Sequence, residues 1–480
     1  MNSEKIFTTD RMRTQISSSH RLIELTRKLR YSLYLGGETN VKSECISADY
    51  FLDEFIPLLQ NVMNKSISQR QSATLIRARK LQNEYEVKNI GIPEIVAESL
   101  FDNYFFKIKK DYTPRNYIRD QVKNCLNKEE KIELLLPILS RKPLSPIKNR
   151  GGLADLAEIQ TIIRCAKLGR LTNNLSPTGC KFTILSDGLK YNRACGTPSH
   201  IVQEYQNSIA FWIKKLGVED VINFQDYESW IDKRMPSNRY TQRDKMYKGH
   251  CDDLSTHYDK YFSHDDLMVS LQKINEKDDI GNQLYYTFFS IITSVYYKCL
   301  YDGKAINEYY TDSYTQSLYI AYISSLHLNL NNISYMGLLS GFSGNSHVID
   351  IISAMRDEAW NAAKRYVAIS LTDRKLDTIF GSSPNGLKLT IHGKKDELHF
   401  ISSSSKDVAM TAQHCVGGLD NSHGKLSINF RYRLEREARK ELPVFIENLP
   451  DTLFNRQHYG PLLNMANAAQ PIYYIDNKNN

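Results

Sequence analysis

The stretch that most constrains the fold runs from residue 131 to residue 216, where short apolar runs alternate with amphipathic segments. The runs KIELLLPIL (Lys131–Leu139) and KFTIL (Lys181–Leu185) predict buried strands. Helices are predicted from Leu153 to Leu168 and from Ile201 to Leu216, because apolar residues recur there at three- and four-residue steps. Strands that alternate with helices in this way predict a layered α/β core.

Charged residues gather in the loop, the helix start and the strand end of this stretch. They include Lys148, Arg150, Asp155, Glu158 and Asp187. The spacing of Asp155 and Glu158 places both carboxylates on one helix face. Asp187 follows the second strand in the sequence Ser-Asp-Gly, and ligands of open α/β sheets collect outside the carboxyl ends of strands. Asp187 is therefore a candidate for contact with a substrate hydroxyl or amine; the alternative is that it only caps a turn.

The remaining chain divides into regions of different pattern. Residues 1–130 are predicted to form an α-helical N-terminal region, because four segments between residues 18 and 128 have helical periodicity. The run QRQSATLIRARK in this region could face phosphate or solvent. Residues 131–480 are predicted to form the α/β domain. Polar, aromatic and charged patches alternate at about 217–345, which predicts an inserted segment that could form a lid.

Downstream, residues 346–380 are predicted to be one long helix or two. The runs LKLTIH (Leu387–His392) and LHFIS (Leu398–Ser402), joined by the charged segment GKKDE, predict a β-hairpin. His392 falls at the end of the first of these strands. His414 follows a Ser-rich loop in the sequence TAQHCVGG, where the glycine pair would let the backbone approach a ligand closely.

The charge balance and the cysteine pattern favour a cytoplasmic protein. The net charge of +8 arises from 62 basic and 54 acidic residues, which suits anionic small substrates and does not require nucleic acid. The eight cysteines form no CxxC pair, so free thiols in a reducing compartment are expected. The N-terminus has no apolar core of the kind that a secretory signal needs. The most apolar window, Leu284–Leu300, is short and holds a lysine, so we expect a buried helix and no membrane partner.

Metal and redox chemistry are not indicated. His250, Cys251, His257 and His264 are close in sequence, but their spacing fits no zinc signature. The chain contains no P-loop, nucleophile elbow, kinase loop or dinucleotide fingerprint. The remaining lysine, arginine, histidine and carboxylate side chains at strand ends predict acid/base chemistry on an anionic metabolite, without metal or redox cofactor.

Four runs of the sequence resemble a known family. The runs PLSPIKNRGGLADLAEI and SPTGCKFTILSDGLKYNRACGTPSHIVQEYQ, followed far downstream by AWNAAKRYVAISL and LKLTIH, are similar to the signature of the isocyanide (isonitrile) synthases of pyoverdine and dityrosine biosynthesis. The resemblance implies a Rossmann-like mixed sheet flanked by helices, and an enzyme without metal or other cofactor. It also implies that the amine of an amino acid condenses with ribulose 5-phosphate, whose carbonyl carbon becomes the isonitrile carbon.

The resemblance assigns roles to individual residues. The predicted catalytic residues are His392, His414, Asp187 and Glu158. The predicted substrate-binding residues are Lys148, Arg150, Asp155, Ser186, Arg365, Lys394, Arg431 and Arg433. His392 and His414 are expected to be the general acid and base, and Lys148 or Arg150 to hold the phosphate.

Three alternatives remain open at this point. The residues around His414, Ala412-Gln413 before it and Cys415 after it, depart from the family pattern, so the amino acid is not identified and the product could be an N-formyl compound instead of an isonitrile. The arginines Arg431 and Arg433 could instead form structural ion pairs with neighbouring glutamates. A different class of function is a non-catalytic basic protein that binds nucleic acid or a protein partner through its helical N-terminus.

Overall fold

A computed structural model of the chain describes residues 45–47, 53, 56–84, 91–106, 115–142, 153–195, 199–233, 239–301, 346–380, 386–391, 398–400, 415–420, 425–429, 441–447 and 471–475. The helices are α1 (Ile56–Glu84), α2 (Ile92–Ser99), α3 (Arg115–Asn127), α4 (Leu156–Leu175), α5 (Gly188–Cys195), α6 (Ser199–Lys215), α7 (Tyr227–Asp232), α8 (Arg239–Tyr258), α9 (Leu267–Lys277), α10 (Asp279–Tyr301) and α11 (Ser346–Phe380). The strands are β1 (Cys45–Ser47), β2 (Ile132–Pro137), β3 (Cys180–Ser186), β4 (Ile222–Asp226), β5 (Gly386–Thr390), β6 (Leu398–His399), β7 (Val416–Asp420), β8 (Lys425–Asn429), β9 (Glu441–Glu447) and β10 (Pro471–Ile475).

The core is a five-stranded sheet in the order β4-β3-β2-β5-β6. All of its pairs are parallel. The chain starts in the centre with β2, adds β3 and β4 on one side, and later adds β5 and β6 on the other. The order therefore reverses between β2 and β5, and ligands of open α/β sheets bind in the crevice that such a reversal leaves at the carboxyl ends of the strands. The predicted α/β, Rossmann-like fold is confirmed.

Apolar side chains explain why β2 and β3 occupy the middle of the sheet. Leu134, Leu136, Phe182 and Ile184 are fully buried, as expected for strands that are covered by helices on both faces. Helix α4 packs on β3 and on the N-terminal helices α1 and α2. The helices α1, α2 and α3 confirm the predicted helical N-terminal region.

A second sheet combines parallel and antiparallel pairs in the order β1-β9-β10-β7-β8. The pairs β1–β9 and β10–β7 are parallel, and the pairs β10–β9 and β7–β8 are antiparallel. A Cβ atom added at Gly417 would lie 2.2 Å from Leu156 Cβ, so β7 packs directly on the start of α4. Strand β1 belongs to the N-terminal region, which therefore supplies one strand to this sheet.

The predicted hairpin between β5 and β6 is wrong. The two strands pair in parallel, with Thr390 opposite His399, and the Phe400 amide donates to the Thr390 carbonyl oxygen at 2.7 Å. The alternating apolar residues and the charged connection predicted two neighbouring strands, but they do not encode the relative direction of those strands. In the parallel arrangement Phe400 is buried, and its ring centroid lies 5.8 Å from that of Phe182 in the core.

The described part of the segment at 217–345 is mainly helical. It contains β4 and then the helices α7 to α10, of which α8 and α10 pack on the long helix α11. The apolar window predicted to be a buried helix lies in α10, where Leu284 and Phe288 are fully buried. Among the described helices, none has the length and apolar character needed to cross a bilayer. The division at residue 131 and the lid role of this segment stay predictions.

Candidate active site

Asp187 lies at the carboxyl end of β3, immediately before α5, as predicted. The Ser140 hydroxyl, in the segment after β2, donates a hydrogen bond to Asp187 Oδ1. Two neighbouring parallel strands thus bring their end residues together at the carboxyl edge of the sheet. This is the edge at which open α/β sheets bind ligands, so Asp187 has the position that a substrate-contacting acid needs.

The surroundings of Asp187 favour its protonated form. Burial raises the pKa of the Asp187 carboxyl; Lys190 and the Ser140 hydrogen bond oppose the shift, and the Asp226 carboxylate adds to it. A carboxyl with a raised pKa exchanges its proton closer to neutral pH, where general acid/base catalysis is most effective. The geometry therefore equips Asp187 to accept and donate a proton.

Lys190 of α5, which was missed from the sequence, is a cation that acts electrostatically on this carboxyl. Its ammonium forms an ion pair with Asp373 of α11 and lies 4.2 Å from the Tyr227 ring centroid and 4.8 Å from that of Tyr191. Burial opposes the charge of Lys190, but Tyr227 and the Asp373 and Asp187 carboxylates outweigh burial and raise its pKa. Lys190 is therefore charged at neutral pH.

A second cation lies beside the Asp373 carboxylate. Arg243 of α8 makes a bidentate ion pair with Glu228 of α7, at 2.6 and 2.8 Å, and its Nε atom lies 3.8 Å from Asp373 Oδ1. Charged side chains of α5, α7, α8 and α11 are thus linked beside the carboxyl edge of the sheet. Bidentate arginine–carboxylate pairs are geometrically specific, so these contacts help to hold the four helices in register.

Ser186, predicted to bind substrate, is fully buried and supports the backbone of the site. Its hydroxyl donates to the Leu139 carbonyl oxygen at 2.9 Å and accepts from Gln206 Nε2, also at 2.9 Å. Leu139 has φ of 65°, in the left-handed region that side chains other than glycine rarely adopt. Backbone of this kind is found where the surrounding structure enforces it, often at functional sites. Leu139 lies just after β2, next to the crevice at the carboxyl ends of the strands.

Asp155 and Glu158 form a separate buried cluster at the start of α4. Asp155 Oδ1 accepts from the Ala157 amide at 2.8 Å, and Glu158 Oε2 accepts from the Asp155 amide at 2.8 Å, so the two residues make a capping box. Lys142 Nζ lies 2.5 Å from Asp155 Oδ2 and 2.9 Å from Glu158 Oε2. Tyr205 donates to Glu158 Oε1 at 3.0 Å.

This cluster holds one cation and two carboxyl groups, all of them buried. Burial raises the pKa of Glu158 to about 8; Lys142 opposes the shift and Asp155 adds to it. Burial opposes the charge of Lys142, but the two carboxylates outweigh burial and raise its pKa. Glu158 has no exposed surface, and its partners Lys142 and Tyr205 are buried with it. The functional roles of Asp155 and Glu158 stay predictions.

Arg365 of α11 lies near the far end of α5. It donates to Glu358 Oε1 at 2.8 Å and to the Ala194 carbonyl oxygen at 3.3 Å. These contacts connect α11 to the helix that follows Asp187. The other predicted site residues lie outside the described residues: Lys148, Arg150, His392, Lys394, His414, Arg431 and Arg433. Their proposed roles stay predictions.

The basic run on α1 divides between two environments. Arg70 and Arg77 lie 3.8 and 3.4 Å from the buried Asp102 carboxylate, whereas Arg79 and Lys80 are exposed. Half of the run therefore serves the packing of α1 on the chain that follows α2.

Within the described ranges, no three or more histidine, cysteine, aspartate or glutamate side chains are arranged to hold a metal ion. His250, Cys251 and His257 all belong to α8, and the latter two are separated by more than one helical turn. The nearby His264 instead pairs with Asp357, at 2.9 Å.

Replacing Gly188 with alanine is expected to destabilise the fold at this edge. An added Cβ would lie 1.8 Å from the Ser140 carbonyl oxygen and 2.6 Å from Val202 Cγ1, so the backbone must move. Overpacking of this kind costs about 1–3 kcal/mol. Urea unfolding of Gly188→Ala measures the loss, with Gly249→Ala as control, because an added Cβ at Gly249 would meet no atom within 4 Å apart from the backbone of its own helix. Equal stability of the two variants would contradict the close contact of α5 with the segment after β2.

A comparison with protein families agrees with the motifs at residues 143–159 and 176–206. Residues 122–321 match the model of a family described as pyoverdine/dityrosine biosynthesis protein. The match includes β2, β3 and Asp187, and it confirms the family resemblance over this part of the chain. A crystal structure of the PvcA protein from Pseudomonas aeruginosa aligns with 80% of this chain and 99% of that chain, at 15% sequence identity and a TM-score of 0.44. No curated protein matches the chain. The family points to a biosynthetic enzyme that acts on small molecules.

Proposed function

We propose that this protein is an isonitrile-synthase-like enzyme that converts the amino group of an amino acid to an isonitrile, with ribulose 5-phosphate as the carbon donor. The observation that carries the proposal is the position of Asp187. It is the acid of the family-like Ser-Asp-Gly sequence, it lies at the carboxyl end of a central parallel strand, and burial raises its pKa. The match of residues 122–321 to the family supports the same chemistry.

The described part of the candidate site is suited to bind the amino acid. Three carboxylates, Asp226, Glu228 and Asp373, and the Asp187 carboxyl lie close to two cations, Lys190 and Arg243. An excess of carboxylates favours a positively charged ligand, and the ammonium group of a free amino acid carries that charge. The phosphate of the sugar would bind to the basic residues predicted for that role, Lys148 and Arg150.

Acid/base residues have three tasks in the first part of the proposed reaction, the formation of the imine and its tautomer. A base removes a proton from the ammonium group, so that the nitrogen can attack the carbonyl carbon of the sugar. An acid then protonates the departing hydroxyl as the imine forms, and a base removes a carbon-bound proton in the tautomerisation that follows. Asp187 supplies one such group. His392 and His414 are the proposed partners, because histidine changes its charge near neutral pH.

Incubation of the purified protein with each proteinogenic amino acid and ribulose 5-phosphate, followed by mass spectrometry, tests this proposal. We expect a new product with one amino acid or a small group of them. The product should gain one carbon and lose the two amine hydrogens. It should disappear in Lys148→Ala and His392→Ala but persist in the exposed control Lys214→Ala. The absence of product with every amino acid would contradict the proposed function. If the product is a formylated amine, the N-formyl compound replaces the isonitrile as the product of the reaction.

A further inference from the structure

The chain leaves β2 through a strained residue, Leu139. The Ile138 amide still donates to the Leu185 carbonyl oxygen of β3, at 3.1 Å, so the pairing with β3 continues up to the residue before Leu139. Leu139 then has φ of 65°, and its side chain is fully buried. A residue with a Cβ is disfavoured in this left-handed region, whereas glycine adopts it without strain. The fold therefore keeps a locally unfavourable turn at the carboxyl edge of the sheet.

Hydrogen bonds from neighbouring elements hold this turn in place. The Ser186 hydroxyl, at the end of β3, donates to the Leu139 carbonyl oxygen at 2.9 Å, and Gln206 of α6 donates to the Ser186 hydroxyl, also at 2.9 Å. The same amide nitrogen of Gln206 lies 3.3 Å from Asp226 Oδ2, at the end of β4. The ends of three parallel strands are thus joined to one helix. A strained conformation persists only where its surroundings enforce it in this way, and such conformations cluster at functional sites.

The turn places the next residue, Ser140, against the two residues that join β3 to α5. The Ser140 hydroxyl donates to Asp187 Oδ1. The Ser140 carbonyl oxygen packs on Gly188, where an added Cβ would clash with it. An aspartate carboxyl can rotate about two side-chain bonds, and a donor on a fixed backbone restricts that rotation. Asp187 is only half-buried, so the contact with Ser140 does not remove it from the crevice.

We propose that Ser140 is a positioning residue for Asp187: the left-handed turn at Leu139 directs the Ser140 hydroxyl to Oδ1, which fixes the carboxyl in one orientation and turns Oδ2 toward the substrate. Orientation matters because a displacement of about 1 Å at a reacting group can lower a rate about 100-fold. Ser140 touches no reacting atom in this arrangement. The inference rests on the proposed function, because that function gives Asp187 the proton transfer whose geometry Ser140 sets.

Removal of the Ser140 hydroxyl should lower kcat and leave KM almost unchanged. We expect Ser140→Ala to reduce kcat about 10- to 100-fold, with KM for the amino acid and for ribulose 5-phosphate within a factor of about two. Ser140→Thr keeps a hydroxyl on Cβ and should retain most of the natural kcat. Ser176→Ala is the control, because the Ser176 hydroxyl bonds to that of Thr178 at 3.2 Å before β3, at the opposite edge of the sheet. Steady-state kinetics of the four proteins measure these effects.

A double-mutant cycle separates the positioning role from a general loss of structure. Asp187→Ala removes the acceptor, so in that background Ser140→Ala should change the remaining rate by a factor of no more than about two. The same cycle is followed by urea unfolding. The urea midpoint of the double variant should fall by less than the sum of the two single falls, because each single substitution breaks the same hydrogen bond. The unfolding measurement needs no product.

The outcomes distinguish this inference from the proposed function. A normal kcat in Ser140→Ala, with product formed by the natural protein, overturns the inference alone, and so do strictly additive falls in the urea midpoint. No product from the folded natural protein overturns the proposed function, and the role of Ser140 falls with it. If Ser140→Ala does not fold, Ser140→Cys takes its place, because a thiol is only a weak donor. A normal kcat in that variant then overturns the inference.

Discussion

Replacing Asp187 with asparagine is expected to lower the rate of product formation by about 100- to 10,000-fold, which is the usual contribution of general acid/base catalysis. Asparagine has the size of aspartate and can still accept the hydrogen bond from Ser140. The substitution therefore removes the titrating group and keeps the local packing. Because the size of the side chain and its hydrogen bond are kept, the free energy of unfolding should change little.

The control for this prediction is Asp220→Asn. Asp220 precedes β4 at the opposite edge of the sheet, and its side chain is 56% exposed in an ion pair with Arg170. Its loss should leave the rate of product formation within a factor of about two, since surface ion pairs contribute little. Steady-state rates and urea unfolding of both variants are the measurements. A normal rate in a folded Asp187→Asn would remove Asp187 from the chemistry.

Replacing Lys142 with methionine is expected to lower the free energy of unfolding by about 3–5 kcal/mol. The ammonium of Lys142 is fully buried between Asp155 and Glu158, at 2.5 and 2.9 Å. Its removal leaves buried carboxyl groups without the cation that balances them. Urea unfolding measures the loss, with the exposed Lys214→Met as the matched control, for which we expect almost no change. A loss below 1 kcal/mol in Lys142→Met would contradict the described cluster.

The pH dependence of the free energy of unfolding is an independent test of the same cluster. The pKa of Glu158 is raised by burial to about 8, so between about pH 4.5 and 8 the folded chain binds its proton more tightly than the unfolded chain. Stability contributed by this proton is complete at low pH and is lost as the pH rises through that window. Glu158→Gln has no such proton, so its stability relative to the natural protein should improve from pH 5 to pH 8 by at least about 1 kcal/mol. A difference that is constant with pH would show that Glu158 does not titrate there.

The core of the fold could be predicted from the local sequence pattern alone. The apolar runs of β2 and β3 and the periodicity of α4 and α6 predicted the layers, because burial on a sheet face or a helix stripe needs those spacings. The direction of β6 relative to β5 could not be predicted from the sequence, since antiparallel and parallel edge strands can have the same alternation of apolar residues. The second sheet was also missed, because β1 and β10 come from opposite ends of the chain and only the tertiary fold brings them to one sheet.

The candidate site was predicted in part. Asp187 could be found because its position after a strand has a general meaning in α/β folds. Asp155 and Glu158 do meet at the start of α4, but Asp155 is the N-cap residue with extended backbone and lies before the first helical residue. Their spacing is that of a capping box, and it gives no sign of the buried partner Lys142. Lys190 was missed because its partner Asp373 is far away in sequence. A lysine in the first turn of a helix was the available signal.

The central claim is that an amino acid acquires its new carbon from the sugar phosphate, and one labelling measurement tests it. The protein is incubated with its preferred amino acid and ribulose 5-phosphate that carries carbon-13 at the carbonyl carbon, and the product is analysed by mass spectrometry. The proposed function predicts a product that contains one labelled carbon, placed next to the former amine nitrogen. A product without the label, or no product from a folded protein, would contradict it.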